Sequence, residues 1–81
     1  MELYIGNLSY LTTEEDLAVL LAPYALTIPP RLALDPKTGL SRGYALAAVA
    51  NDAAGASAIE GLNGTILDGR IIIVRAALPG Q

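Results

Sequence analysis

In two separate stretches of the chain, residues 2–6 and 43–49, a period of two separates a tyrosine from the aliphatic residues beside it. This is the period of a β-strand, in which successive side chains point to opposite faces of the sheet. In the first stretch the rule places Tyr4 on one face and both Leu3 and Ile5 on the other. The aliphatic residues are therefore expected in a core and the tyrosine on an open face.

The second stretch divides between two faces in the same way. One parity contains Tyr44, Leu46 and Ala48, and the other contains Ala45, Ala47 and Val49. If the two strands are neighbours in one sheet, Tyr4 and Tyr44 share its open face. Two exposed aromatic rings beside a basic residue, here Arg42, form a candidate platform on which unpaired bases can stack.

Two helices are predicted from their start signals and from the spacing of apolar residues. The segment 12–16 offers a threonine N-cap with an acidic residue three positions later, which is a capping box. An apolar stripe at helical spacing follows, formed by Leu17, Leu20, Leu21 and Tyr24. Pro23 is expected to end this helix near residue 21 or 22. A second helix is expected from a cap at Asn51 or Asp52 to about Gly61.

The second strand is expected to be short and to lie at a sheet edge. The pair Pro29-Pro30 cannot donate hydrogen bonds to a neighbouring strand, so the strand is predicted over about Arg31–Leu34. Its two leucines would point inward, while Arg31 and Ala33 would face the open side. Turn residues from Asp35 to Gly39 then lead the chain back as a hairpin.

The last strand is predicted over Arg70–Arg75, after a short extra strand at 65–67 and an Asp68-Gly69 turn. Its parity sends alternate residues to the two faces of the sheet. The open face would receive Ile71, Ile73 and Arg75, and the core would receive Ile72 and Val74. Residues 78–81 are expected to form a frayed tail.

The predicted order of elements is therefore β-α-β-β-α-β. A four-stranded antiparallel sheet with two helices on one face is an α+β, ferredoxin-like architecture. No repeat, low-complexity tract or linker interrupts the pattern, so residues 1–81 are interpreted as a single domain.

Composition excludes several classes of function. The chain contains no cysteine and no histidine, which removes disulfides, thiolate and imidazole metal sites, and histidine acid–base catalysis. It has neither an apolar run long enough to span a membrane nor a signal peptide. We therefore expect a cytoplasmic protein that contains no metal or cofactor. The formal charge of −3 argues against a general polyanion binder. The acidic residues concentrate in the predicted helices, however, which is compatible with a basic sheet face.

Two motifs and their spacing resemble the RNA recognition motif (RRM) family. Leu3-Tyr4-Ile5-Gly6-Asn7-Leu8 is similar to the family's RNP hexamer, and Arg42-Gly43-Tyr44-Ala45-Leu46-Ala47-Ala48-Val49 is similar to its RNP octamer. Shorter phrases such as Leu62-Asn63-Gly64 and Asp68-Gly69-Arg70 also stand where the family has them. The resemblance covers nearly the whole chain and is strongest to short single-RRM bacterial and cold-inducible proteins. It implies binding of single-stranded RNA across the sheet.

The resemblance and the alternation of side chains along the strands together predict the RNA-binding residues. They are Tyr4, Tyr44, Leu46, Arg42, Arg31, Arg75 and Asn7. The family has a third stacking aromatic where this chain has Leu46, so stacking is expected to be weaker there. Asn7 either shapes the turn after the first strand or contacts nucleic acid, and Tyr10 and Tyr24 are assigned to packing. With about two to four phosphate contacts available, binding to single-stranded RNA or DNA is expected to be micromolar or poorer.

A second interpretation gives the open face to protein contacts. An exposed apolar surface formed by Ile71, Ile73, Ala33 and Ala48 would dock on a protein partner or on a second copy of the chain. A third interpretation, suggested by the alanine- and leucine-rich composition, is an engineered RRM with vestigial RNA binding. An enzyme is not expected, because the phosphate-binding loop of acylphosphatases and the Cys-x-x-Cys of heavy-metal-binding domains, which share this topology, are absent.

Overall fold

The computed structural model describes residues 1–80 of the chain. Its regular elements in order are β1 (Glu2–Gly6), α1 (Glu14–Leu21), a 3-10 turn (Ala22–Tyr24), β2 (Leu26–Leu34), β3 (Ser41–Val49), α2 (Asp52–Leu62), β4 (Ile66–Leu67), β5 (Arg70–Ile71) and β6 (Ile73–Ala76). Four of these strands form an antiparallel sheet in the order β2-β3-β1-β6, and β4 and β5 form a small hairpin beside it. This architecture confirms the predicted ferredoxin-like α+β class.

The hydrophobic core lies between one face of the sheet and the two helices, and it is aliphatic. The largest side chains that are fully buried are Leu3, Ile5, Leu17, Leu21, Val49, Ile72 and Val74. Each contributes about 1.5–3 kcal/mol of transfer free energy relative to an exposed side chain. Because the helices cover this face, Tyr4 and Tyr44, which have the opposite parity, lie on the uncovered face. Neither helix of residues 1–80 has the length and apolar character needed to traverse a lipid bilayer.

Both helices begin at the caps that the sequence predicts. The Thr13 hydroxyl accepts a hydrogen bond from the Asp16 backbone N–H at 3.1 Å, and the Asp16 carboxylate accepts one from the Thr13 N–H at 3.0 Å. The Asn51 side-chain oxygen accepts from the Ala54 N–H at 2.8 Å. Each cap is worth about 1 kcal/mol, because it satisfies backbone donors that have no partner within the helix.

Strand β2 begins earlier than predicted and includes the two prolines. Ile28 of β2 lies opposite Ala48 of β3, and Arg31 lies opposite Leu46. Over this interval β2 therefore contains one more residue than β3. Such a β-bulge leaves positions that need not donate to the ladder, and these positions accommodate Pro29-Pro30. The prediction that β2 starts near residue 31 was wrong, whereas its edge position is confirmed.

A further shift in register near the end of β2 changes the orientation of its last residues. The pairing moves from Leu32 opposite Ala45 to Leu34 opposite Ser41. Leu32 packs against the core as predicted, but Leu34 is 52% exposed. The prediction that Leu34 points inward was therefore wrong, because strict alternation fails across an irregular register.

The predicted last strand is divided between two sheets. Residues 70 and 71 pair with β4 in the small hairpin, and only residues from Ile73 onward join the four-stranded sheet. The division occurs at Ile72, whose N–H donates to the Thr65 carbonyl at 2.9 Å and whose carbonyl accepts from Gly64 at 2.9 Å. Residues 78–80 follow β6 without strand structure, and residue 81 lies outside the described part.

Side chains cap backbone N–H groups on both outer strands. Glu14 of α1 accepts from the Leu32 N–H on β2 at 2.8 Å, and Asn63 accepts from the Val74 N–H on β6 at 3.0 Å. An uncapped N–H on an edge strand is a potential donor to another chain. These two contacts therefore oppose edge-to-edge association of the sheet.

Candidate nucleic-acid interface

One row of side chains crosses all four strands on the open face of the sheet. Leu46 lies opposite Arg31 on one side and opposite Tyr4 on the other, and Tyr4 lies opposite Arg75. Residues directly opposite each other in antiparallel strands project from the same face. The open face therefore carries an arginine at each end of a row whose centre is apolar and aromatic.

The two tyrosines of the RNP-like motifs are in contact. The ring centroids of Tyr4 and Tyr44 are 5.4 Å apart and the ring planes differ by 23°, which is a stacked arrangement. Both residues are half-buried. The predicted aromatic pair on the two central strands is thus present and forms one continuous surface.

Arg75 covers one face of the Tyr4 ring. Its guanidinium carbon lies 4.0 Å from the ring centroid, which is a cation–π contact, and its Nη1 donates to the Ala76 carbonyl at 3.1 Å. The prediction that Arg75 projects from the tyrosine face is confirmed. That face of Tyr4 is therefore occupied by a cation that a stacking base must displace or stack upon.

Gly6 forms the surface over which the Tyr4 ring lies. A Cβ atom at position 6 would collide with Cε1 of Tyr4 and would stand 2.7 Å from its hydroxyl oxygen. The glycine of the hexamer motif is therefore needed for close approach to the ring, since its backbone does not adopt a positive φ.

A mainly apolar groove of about 370 Å³ lies on the open face between β2 and β3. The residues lining it include Ile28, Arg31, Ala33, Leu46, Ala48 and Glu2. Ala48 is only 7% exposed, so the prediction that it presents an apolar surface was wrong. Its methyl group lies opposite the longer Ile28 on one side and Glu2 on the other. Ala33 is half-buried at the groove wall.

The two isoleucines of the predicted apolar surface are exposed but belong to different elements. Ile73 is 46% exposed and lies on β6 opposite Gly6. Ile71 is 59% exposed and pairs with Ile66 in the small hairpin, outside the four-stranded sheet. Tyr4 and its row neighbours separate Ile73 from the β2–β3 groove. The four residues therefore do not form the single patch on the sheet that strand parity predicted.

A second groove, of about 600 Å³, opens where β1 ends and β3 begins. We call it the end groove, and its lining includes Tyr4, Asn7, Ser9, Tyr10, Arg42 and Arg70. Tyr10 is 76% exposed, so its assignment to packing was wrong, whereas Tyr24 packs against the core as predicted. Arg70 was not predicted as a site residue. The sequence placed it in the last strand of the sheet, whereas it lies in a hairpin beside β1.

Asn7 uses its side chain to hold the hairpin to the end of β1. Its Nδ2 donates to the Ile71 carbonyl at 2.7 Å, and its Oδ1 accepts from Arg70 Nη2 at 2.5 Å. Its backbone carbonyl accepts from Arg70 Nε at 3.1 Å. Asn7 has a φ of 58°, a left-handed conformation that asparagine tolerates better than most residues. These contacts give Asn7 a clear structural role at the site.

Most acidic side chains are kept away from the open face. Residues 14–16 form the first turn of α1, where their charge suits the positive end of the helix, and Glu60 lies on α2. Glu2 is an exception, because it lines the β2–β3 groove. Within residues 1–80 the acidic residues form no cluster that could hold a metal ion.

Known proteins resemble the chain in both sequence and structure. The family model for the RNA recognition motif matches residues 3–73. RbpF of Nostoc sp., which is named provisionally as an RNA-binding protein, is 40% identical over 81 residues, covering 100% of this chain and 77% of RbpF. The crystal structure of RNA-binding protein PG1 matches with a TM-score of 0.90 and 39% identity over 100% of this chain and 98% of that one. The Rna15 RRM with bound RNA (GU) matches with a TM-score of 0.82 and 30% identity, covering 99% of this chain and 85% of that chain.

Proposed function

The chain belongs to the RNA recognition motif family, and we propose that it binds single-stranded RNA across the open face of its sheet. The observation that carries this proposal is the stacked pair of Tyr4 and Tyr44 within a surface that has arginines at its edges. Flat aromatic rings suit the faces of unpaired bases, and guanidinium groups suit phosphates. We assign binding and not catalysis to this surface.

Two successive bases stack on the two tyrosines in this proposal. Base–aromatic stacking contributes about 1–3 kcal/mol per base. On Tyr4 the incoming base displaces the Arg75 guanidinium or adds to the stack above it. On displacement Arg75 turns to a phosphate, so a charge-assisted hydrogen bond in the complex replaces the cation–π interaction of the unbound protein.

Leu46 provides the third contact with the RNA. It lies in the row between Arg31 and Tyr4 and also lines the β2–β3 groove. A third base in this groove makes dispersion contacts with Leu46 and the apolar walls, without an aromatic partner. Its contribution is therefore smaller than that of either stacked base.

Arg31, Arg42 and Arg75 contact phosphates or base edges. Arg31 and Arg42 are exposed, and the row places Arg31 and Arg75 at opposite margins of the aromatic surface. So few cations on an acidic chain support micromolar or weaker binding with a shallow salt dependence. Base stacking and phosphate contacts do not depend on whether the sugar is ribose or deoxyribose, so single-stranded DNA is bound as well. The proposed cellular location is the cytoplasm.

Self-association or protein binding through the open face is the second candidate. The exposed Ile73 and Ile71 favour it, because exposed apolar side chains mark many interfaces. The separation of the predicted patch into distinct parts and the capped sheet edges speak against it.

Direct titration tests the RNA proposal. A labelled pool of random single-stranded RNAs is titrated with the full chain by fluorescence anisotropy, beside single-stranded DNA and duplex RNA pools. Saturable binding to both single strands and weaker binding to the duplex are expected, because a duplex hides the faces of its bases. A Tyr4→Ala, Tyr44→Ala variant that stays folded serves as the control. Equal binding by this variant and the wild type would reject the stacking surface.

A further inference from the structure

The β2–β3 groove contains two opposite charges that the apolar contacts of the third base do not use. Glu2 lines the groove from β1 and Arg31 lines it from β2, and both residues are exposed. Within residues 1–80, neither the Glu2 carboxylate nor the Arg31 guanidinium takes part in a hydrogen bond or an ion pair. A carboxylate repels the phosphates of a bound strand. Its favourable contact with RNA is therefore a base edge that donates hydrogen bonds.

Glu2 and Arg31 flank the central strand β3 from its two sides. Glu2 lies opposite Ala48, and Arg31 lies opposite Leu46. Neighbouring strands are spaced about 4.8 Å apart, so the backbones of β1 and β2 are about 10 Å apart here. Leu46 and the small Ala48 form the floor between them. A flat base lying on this floor meets a carboxylate at one edge and a guanidinium at another.

The carboxylate and the guanidinium together distinguish among the four bases. An ionised carboxylate only accepts hydrogen bonds, through two oxygens, whereas a guanidinium only donates them. Guanine has two adjacent donors, N1–H and the N2 amino group, and two adjacent acceptors, O6 and N7, which arginine commonly contacts together. Adenine and cytosine each have one amino group beside an acceptor, and uracil has one N–H between two carbonyl oxygens. Guanine is therefore the base that offers paired donors and paired acceptors.

We propose that the β2–β3 groove is selective for guanine. Glu2 accepts hydrogen bonds from N1–H and the N2 amino group, Arg31 donates to O6 and N7, and Leu46 packs against the face of the ring. This inference rests on the proposed RNA function and specifies which base makes the third contact. It also accounts for an acidic side chain on a surface that binds RNA, because Glu2 lowers the affinity for phosphates in general while it raises the selectivity for one base.

Guanine selectivity is tested with pools of single-stranded RNA of about six nucleotides, within the usual range of site sizes. Every strand of a pool carries one guanine, adenine or cytosine at a varied position among uridines, and an all-uridine strand is the reference. In titrations by fluorescence anisotropy, the wild type is expected to bind the guanine pool about fivefold or more tightly than the reference. Inosine, which lacks the N2 amino group, and 7-deazaguanine, which lacks N7, are each expected to reduce this preference.

Glu2→Gln tests whether the carboxylate is responsible for the selectivity. The amide of glutamine turns a donor toward the donors of guanine, so the variant is expected to bind the guanine and inosine pools equally. The ratio of the two Kd values is compared, because loss of a negative charge also strengthens binding to every strand. Glu60→Gln is the matched control, since it removes the same charge from α2, and it is expected to keep the wild-type ratio. Circular dichroism checks that both variants are folded.

The outcomes separate this inference from the RNA proposal itself. Equal Kd values of the wild type for all pools would reject guanine selectivity while RNA binding by the sheet stands. Tighter binding of the adenine or cytosine pool than of the guanine pool would reject it as well. An unchanged ratio of guanine to inosine binding in a folded Glu2→Gln variant would show that Glu2 does not contact the base. A wild-type chain that binds no pool would overturn both proposals.

Discussion

The guanidinium carbon of Arg75 lies 4.0 Å from the centre of the Tyr4 ring, and the two residues stand opposite each other on β6 and β1. The contact joins the aromatic pair to the basic margin of the sheet. It also means that Tyr4, which is expected to stack a base, is covered by a cation before any base arrives. Both Tyr4 and its stacking partner Tyr44 are half-buried in the unbound protein.

Tyr4 and Arg75 are predicted to be energetically coupled in the unbound protein. A double-mutant cycle with Tyr4→Leu and Arg75→Gln is expected to give a coupling of about 0.5–1 kcal/mol in the free energy of unfolding, the range for exposed cation–π pairs. Urea denaturation of the four proteins measures it. Strictly additive effects would show that the contact does not stabilise the protein in solution.

Gly6→Ala is predicted to weaken RNA binding without unfolding the protein. The new methyl group would collide with the Tyr4 ring, which is the movable end of a flexible side chain, so the ring shifts and the backbone stays. We expect a several-fold loss of affinity for a short single-stranded RNA pool by fluorescence anisotropy. In a Tyr4→Leu background the same substitution is expected to have little further effect. A full additional loss there would show that Gly6 acts independently of the ring.

The phosphate contacts are predicted to appear in the salt dependence of binding. Each contact with a single strand contributes about 0.7 to the slope of log K against log salt concentration, so Arg42→Gln is expected to reduce the slope by about that amount. Lys37→Gln is the matched control, because it removes the same charge from the exposed loop between β2 and β3. Equal reductions for the two variants would indicate a general charge effect and no specific contact at Arg42.

Local rules predicted the elements whose signals lie within a few residues. The strands around Tyr4 and Tyr44 follow from alternation, and the caps at Thr13 and Asn51 follow from side chains that satisfy nearby backbone N–H groups. The antiparallel pairing of β2 with β3 then follows from the short connection between them. The placement of Arg31 and Arg75 on the tyrosine face is also confirmed by the register.

Features that depend on pairing between strands could not be predicted in this way. The proline pair suggested a late start for β2, but a bulge, which is a property of two strands together, accommodates it. The same irregular pairing sets the burial of Ala48 and the exposure of Leu34. Tyr10 lies in a loop, where strand parity says nothing about orientation. The Asp68-Gly69 turn was the available signal that Arg70 belongs to a hairpin.

The exposed side chains of Ile71 and Ile73 are predicted not to support a stable dimer. Light scattering of the wild type and of an Ile71→Lys, Ile73→Lys variant is expected to give a monomer for both, because the exposed apolar residues are not contiguous. A wild-type dimer that becomes monomeric in the variant would instead favour self-association through this face.

Tyr44→Ala provides the most direct test of the stacking surface. Loss of one stacked base is expected to cost about 1–3 kcal/mol, which is roughly a 5- to 150-fold increase in Kd for a short single-stranded RNA pool. Tyr44→Phe keeps the ring and is expected to retain binding, and circular dichroism checks that both variants are folded. A large loss of affinity is therefore expected for Tyr44→Ala and little change for Tyr44→Phe. An unchanged Kd for a folded Tyr44→Ala variant would show that Tyr44 does not stack a base.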